Sequence, residues 1–186
     1  HTFGSRDDVA HILAIENEDN EAPVTVLENG YRSTEQIIKF ANQLLPARER
    51  RVFSIQRDGN APAVRRITSL NNLYSMSLAE AEELIVEAGS GSVAVITVFP
   101  GEFQKVLVKS GWVASAADPS RWENASASLT LLPPERARGL EFDAVLVIEP
   151  ADFPENFGRQ GTLYTALTRA NRLLRVTHHK ALPRMM

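Results

Sequence analysis

Among its 186 residues the sequence has no cysteine. Neither a disulfide framework nor a thiolate metal site is therefore open to it, which fits a reducing compartment and makes cytoplasm the expected location. No apolar run approaches the ~20 residues that a membrane span needs, and no charged start is followed by an apolar stretch. A soluble protein is expected. Aromatic residues make up only 7%, and the formal net charge of -3 excludes a uniformly basic coat for nucleic acid, though not a local basic stripe. Internal repeats and low-complexity tracts are also missing. What is present, 44% hydrophobic and 23% charged residues, suffices for one well-buried domain. The chain begins at His1 and is expected to be a piece of a longer protein, with residues 1–22 an N-terminal arm.

Alternating helix and strand signals run along the rest. Val9, Ile12, Leu13 and Ala14 suit a short helix, and Glu16 to Glu21 an acidic linker. Val24 to Leu27 is a brief β-prone run closed by Asn29-Gly30. Ser33-Thr34-Glu35-Gln36 has capping-box spacing before Ile37, Ile38, Ala41, Leu44 and Leu45, with Pro46 as the stop. Arg32 then sits at a helix N-terminus, where free N–H groups and the helix dipole favour an anion; a surface residue flanking a cap is the plainer alternative. Arg48, Arg50, Arg51 and Arg57 fall in an unpatterned basic loop. A strand is expected over Val64 to Ile67, and a second helix opening with a capping box at Ser77 and ending at Gly89. Val93 to Val98, apolar and β-branched, suits a central parallel strand. A third helix is expected from Gly101 to Ser110 and another strand from Trp112, while Trp112 and Trp122 are expected to be packing residues.

Ser128 to Leu132 and Ala144 to Ile148 complete the strand signals, separated by Pro133-Pro134 and a charged turn, Glu135 to Asp143, around Gly139. A glycine there lets backbone approach a ligand, Glu141 could accept from a sugar hydroxyl and Arg138 could meet phosphate; a solvated connecting loop is the alternative. In Gly161 to Val176, Leu163, Ala166, Leu167 and Ala170 form one apolar helical stripe with Arg169 at its flank. Such a position suits phosphate, although solvated arginines on an amphipathic helix have the same pattern. Leu173, Leu174 and Val176 then read as a strand. His178 and His179, adjacent on that strand, point to opposite faces and are not assigned to a metal. The whole predicts an α/β fold with helices on both faces of a mainly parallel sheet.

Three pieces in fixed order, NGYRSTEQIIKFAN at 29–42, RARGLEFDAVLV at 136–147 and LYTALTRANRLL at 163–174, together resemble motifs IV, V and VI of UvrD/Rep-type superfamily 1 helicases, in their second RecA-like domain. The resemblance spans most of residues 23–186 and is poorest over 46–127. With the short spacing from GLEFD to LTRA and the Ala181-Leu182-Pro183 tail, it looks most like the HelD branch, helicase-like factors that bind bacterial RNA polymerase. It implies ATP with Mg²⁺ held between two RecA-like domains. Arg169 and Arg32 match the arginines that stabilise charge on the γ-phosphate, Glu141 the ribose contact and Gly139 the adjacent backbone site, with Arg138 keeping the charge of the motif's Lys. Such arginines are worth roughly 10³ to 10⁵ in rate.

Departures from the pattern matter equally. Gly30 stands where the family has Asn, Arg138 where it has Lys, and Glu135 where processive helicases have His. No GxxxxGK[ST] loop and no acidic metal-binding strand motif occur, so this chain alone is expected neither to bind ATP firmly nor to hydrolyse it. The expected partners are the first RecA-like domain of the same protein and, in the HelD-like reading, RNA polymerase. The alternatives are a 3'-5' single-stranded DNA translocase and a noncatalytic RecA-like binding module.

Overall fold

The computed structural model describes residues 33–50, 58–156, 158 and 161–183. Arg32, the expected arm and the strand expected over Val24 to Leu27 lie outside them. Within the described residues seven strands form one sheet: β1 (Ala63–Arg66), β2 (Val93–Thr97), β3 (Val113–Ala114), β4 (Arg121–Glu123), β5 (Ser128–Leu132), β6 (Phe142–Ile148) and β7 (Ala170–His178). Their spatial order is β1-β7-β6-β2-β5-β4-β3. The pairs from β1 through β5 are parallel, and β4 and β3 add antiparallel pairs at one edge. The α/β class with a mainly parallel sheet is as the sequence predicts.

Period-two alternation splits the core into two layers. Val93 and Val95 of β2 and Ala144, Leu146 and Ile148 of β6 pack with helices α2 (Leu73–Ala88) and α3 (Pro100–Lys109). Ala94 and Ile96, with Val145 and Val147, face helices α1 (Glu35–Ala41) and α4 (Thr162–Leu167) instead. Every residue of β2 is buried, which is why its sequence runs apolar without alternation. Each such Val or Ile contributes roughly 1.5–3 kcal/mol by leaving water. Trp112 and Trp122, both buried, belong to the first layer.

Local boundaries depart from expectation where a polar side chain has a partner distant in sequence. Ser33 is not the cap of α1. Thr34 holds that position, accepting from the Ile37 amide, while Gln36 reaches Asp58 and Gly59 instead of turning back. Ser77 likewise does not open α2, which starts a turn earlier at Leu73; its hydroxyl bonds the Leu73 carbonyl and Thr177 of β7, 2.7 Å away. Gly89 ends α2 at φ 63 as expected. The helix expected from Gly161 onward is only six residues long. Thr168 turns its hydroxyl back onto the Tyr164 and Thr165 carbonyls, and from Arg169 the main chain joins the β6 ladder.

At the far end of the same strands Glu149 adopts a left-handed conformation, φ 52. Its carboxylate accepts from the amides of His179 and Lys180, tying the end of β6 to the end of β7. His178 and His179 each spend a ring nitrogen on a carbonyl, of Lys180 and Ile67 respectively. Among the described residues no group of His, Asp and Glu is arranged to hold a metal, and no helix is long and apolar enough to cross a membrane.

Candidate functional site

The site forms where α4 passes into β7. Because α4 stops at Leu167, Arg169 lies in the helix-to-strand turn and not on the helix flank, which corrects its expected placement. The two readings of Arg169 also need revision. It is neither a solvated surface arginine nor a side chain standing freely at a cleft edge, being only 5% exposed. Its Nε donates to the Thr165 carbonyl at 3.0 Å and a terminal nitrogen donates to the Leu140 carbonyl at 3.1 Å. Arg169 thereby joins α4 to the turn that carries Arg138, Gly139 and Glu141. The backbone adds to this, with the Phe142 amide donating to the Arg169 carbonyl at 3.0 Å.

Electrostatics around the guanidinium are mixed. Burial lowers its pKa from the ordinary arginine value, Glu141 acts in the opposite sense and Arg138 reinforces the lowering. The group stays charged at any physiological pH. A buried cation next to a second cation and one carboxylate suits an arriving anion, which would relieve the repulsion between Arg169 and Arg138.

Gly139 and Arg138 are exposed and Glu141 is half-buried. At φ 79 Gly139 holds a conformation that side chains resist, and no atom lies within 4 Å of where a Cβ would stand. Its backbone is therefore open to close approach from outside. Four of the five sequence-predicted site residues are thus brought to one corner of the fold. The fifth, Arg32, lies outside the described residues. Its neighbour Ser33 is buried at this corner, donating to the carbonyl of Ala170 at 2.6 Å and to that of Thr168 at 3.3 Å.

Beside the turn runs a cleft of about 390 Å³, lined by Val98, Pro134, Glu135, Arg138, Pro154, Thr162 and Thr165. It lies against the outer side of α4 and the carboxyl ends of β2, β5 and β6, where open α/β sheets usually take ligands. Sequence reasoning did not assemble this cleft, because its walls come from four segments. Arg175 was missed as well. It is 6% exposed on β7 and clamps α2 through Glu80, Glu83 and Glu87, and only the i, i+3, i+7 spacing of those glutamates hinted at a common partner.

No family model matches the chain, and no curated protein matches it. Among solved structures it is similar to the C-terminal domain of a possible DNA helicase from Lactobacillus plantarum WCFS1, at 22% sequence identity and a TM-score of 0.61. The match covers 83% of this chain and 91% of that one. At this identity the likeness establishes the fold alone, an α/β sheet of the RecA-like kind, which the two chains share over most of their length.

Proposed function

We propose that this chain is the second RecA-like motor domain of a superfamily 1 helicase-like ATPase, and that it supplies half of an ATP site completed by a first RecA-like domain. The observation that carries this reading is the seating of Arg169 on the Leu140 carbonyl, which sets a buried cation beside Arg138, the open backbone of Gly139 and the carboxylate of Glu141. Two guanidiniums and an approachable backbone can donate to a triphosphate, and a carboxylate can accept from a ribose hydroxyl. The residues present fit the γ-phosphate and sugar, not the cradle for β-phosphate and Mg²⁺, which belongs to the other domain. Arg169 and Arg32 act as phosphate-facing cations, Glu141 as the ribose contact, and Arg138 and Gly139 as their neighbours. ATP supplies the energy that opens and closes the two domains; this chain orients its phosphates and excludes water from them.

For the branch, the formal net charge of -3 is the ground for favouring a HelD-like factor acting on RNA polymerase over a strand translocase, which needs basic and aromatic residues along an exposed groove. The test is ATP turnover by the longer protein that includes the first domain, wild type against Arg169→Ala and Arg169→Lys, with and without single-stranded DNA. A loss of roughly 10³-fold or more in both variants, with folding retained, supports the proposal. Turnover that survives Arg169→Ala overturns it. Stimulation by DNA selects the translocase, whereas indifference to DNA with a response to RNA polymerase selects the HelD-like factor.

A further inference from the structure

Ser33 is buried beside Arg169 and has no part in the ATP site as proposed above. We propose that it is a positioning residue for Arg169, its hydroxyl fixing the backbone that aims the guanidinium. This inference rests on the phosphate-facing role already proposed for Arg169.

Arg169 lies in the short turn between α4 and β7, where helical bonds have ended and the ladder with β6 is only beginning. Helix ends leave carbonyls without intrahelical partners. On the other side of β7, β1 reaches only Arg175 to His178, so β1 does not flank Ala170. The Ser33 hydroxyl fills that gap. It donates to the Ala170 carbonyl at 2.6 Å, with the Thr168 carbonyl at 3.3 Å as the weaker second acceptor. These carbonyls stand just after and just before Arg169. One hydroxyl therefore holds the chain on both sides of the Arg169 Cα and sets the direction in which its side chain leaves. The far end of that side chain is held separately, by the Thr165 and Leu140 carbonyls.

Ser33 is itself firmly placed. Its neighbour Thr34 caps α1 by accepting from the Ile37 amide, and a Cβ added at Gly59 would come within 2.4 Å of the Thr34 methyl. At 1% exposure Ser33 is also closed to a nucleotide, so its influence on turnover has to pass through Arg169. A bond that only held the fold together would change stability alone. A bond that aims a phosphate-facing cation changes the rate, because a misplacement of about 1 Å in a reacting constellation costs on the order of 10²-fold.

The experiment measures kcat and KM for ATP separately in the longer protein that includes the first domain. The variants are Ser33→Ala, Thr34→Ala, Arg169→Ala and the Ser33→Ala/Arg169→Ala double. Ser33→Ala should lower kcat about 10- to 100-fold with KM within about twofold, the pattern of an interaction realised only in the transition state. Thr34→Ala loosens the same segment by removing its cap but leaves the carbonyls flanking Arg169 alone, so it should keep kcat within about twofold. In the Arg169→Ala background Ser33→Ala should lower the residual turnover by less than about twofold, since no guanidinium is left to aim. Ser33→Cys, with a weaker donor, should fall between wild type and Ser33→Ala, and it carries the comparison if the alanine variant fails to fold. Wild-type kcat in Ser33→Ala, equal losses in Ser33→Ala and Thr34→Ala, or losses that multiply in the double variant would each overturn this inference while Arg169→Ala still abolishes turnover. Turnover that survives Arg169→Ala overturns the functional reading and this inference with it.

Discussion

Replacing Arg169 by alanine should destabilise the domain whatever its part in catalysis, and the size of the effect follows from its contacts. Two charge-assisted hydrogen bonds, to the carbonyls of Thr165 and Leu140, are each worth roughly 1.5–3 kcal/mol. Offsetting them is the cost of keeping a guanidinium out of water, the same burial that lowers its pKa. Neither carbonyl is stranded by the change. Thr165 still accepts from the Thr168 hydroxyl at 3.2 Å, and Leu140 is 43% exposed, so water can reach it. The net loss expected is about 2 kcal/mol, the worth of a single hydrogen bond to a charged group. For a chain of this size that lowers the melting temperature by about 4–8 °C. Arg169→Lys, which can keep one of the two bonds, should lose about half as much. Thermal and guanidinium chloride unfolding of the isolated chain measure this directly, and hydrogen exchange should quicken at Leu140 and Phe142. A melting temperature unchanged in Arg169→Ala would refute the reasoning, because the guanidinium would then not hold the turn in place. The same numbers bear on the ATPase test, since a stability loss of this size leaves the domain folded while a lost phosphate contact abolishes turnover.

Three further predictions concern stability. Arg175→Ala should cost about 3 kcal/mol by urea titration, because it leaves the poorly exposed Glu80 without its main partner, whereas Glu83→Gln, with a side chain 64% exposed, should cost under about 0.5 kcal/mol. Ser77→Ala and Thr177→Val should each cost about 1–2 kcal/mol, and the double variant less than their sum by about 1 kcal/mol, because the second change removes a hydroxyl already stranded by the first. An additive double variant would show that the 2.7 Å contact is not a hydrogen bond in solution. Gly139→Ala should cost about 1–2 kcal/mol through its positive φ alone, with no repacking of neighbours, since open space surrounds the position. Unfolding midpoints test that, and chemical shifts changing only near the turn would show the damage to be local.

The features legible in the sequence were those set by a local physical rule. Burial on both faces made β2 a plain apolar run, Gly89 announced a helix end by its need for positive φ, and the two tryptophans were rightly taken as packing residues. The features that were not legible depended on partners far along the chain. Ser33 and Ser77 have the composition of helix caps, but each hydroxyl bonds a group of β7 or the turn before it, more than ninety residues away. The length of α4 was overestimated because Ala170 fits a helical stripe as well as it fits the start of a strand, and only the ladder with β6 decides between them. Residue types and the motif resemblance singled out Arg169, Arg138, Gly139 and Glu141 as candidates, and the fold gathers them at one corner. That Arg169 is buried with two nitrogens engaged could not be inferred from a motif.

The place of β7 in the sheet also governs how the domain is made. It is the last of the described strands along the sequence, yet it lies between β1 and β6. During synthesis β6 therefore presents an unpaired edge, and β1 lacks its one partner among the described strands, until residues 170–178 leave the ribosome. Until then the chain offers neighbouring chains two sticky edges. A nascent or prematurely terminated product is the form most exposed to aggregation, and closure of the sheet coincides with arrival of the segment that begins just after Arg169.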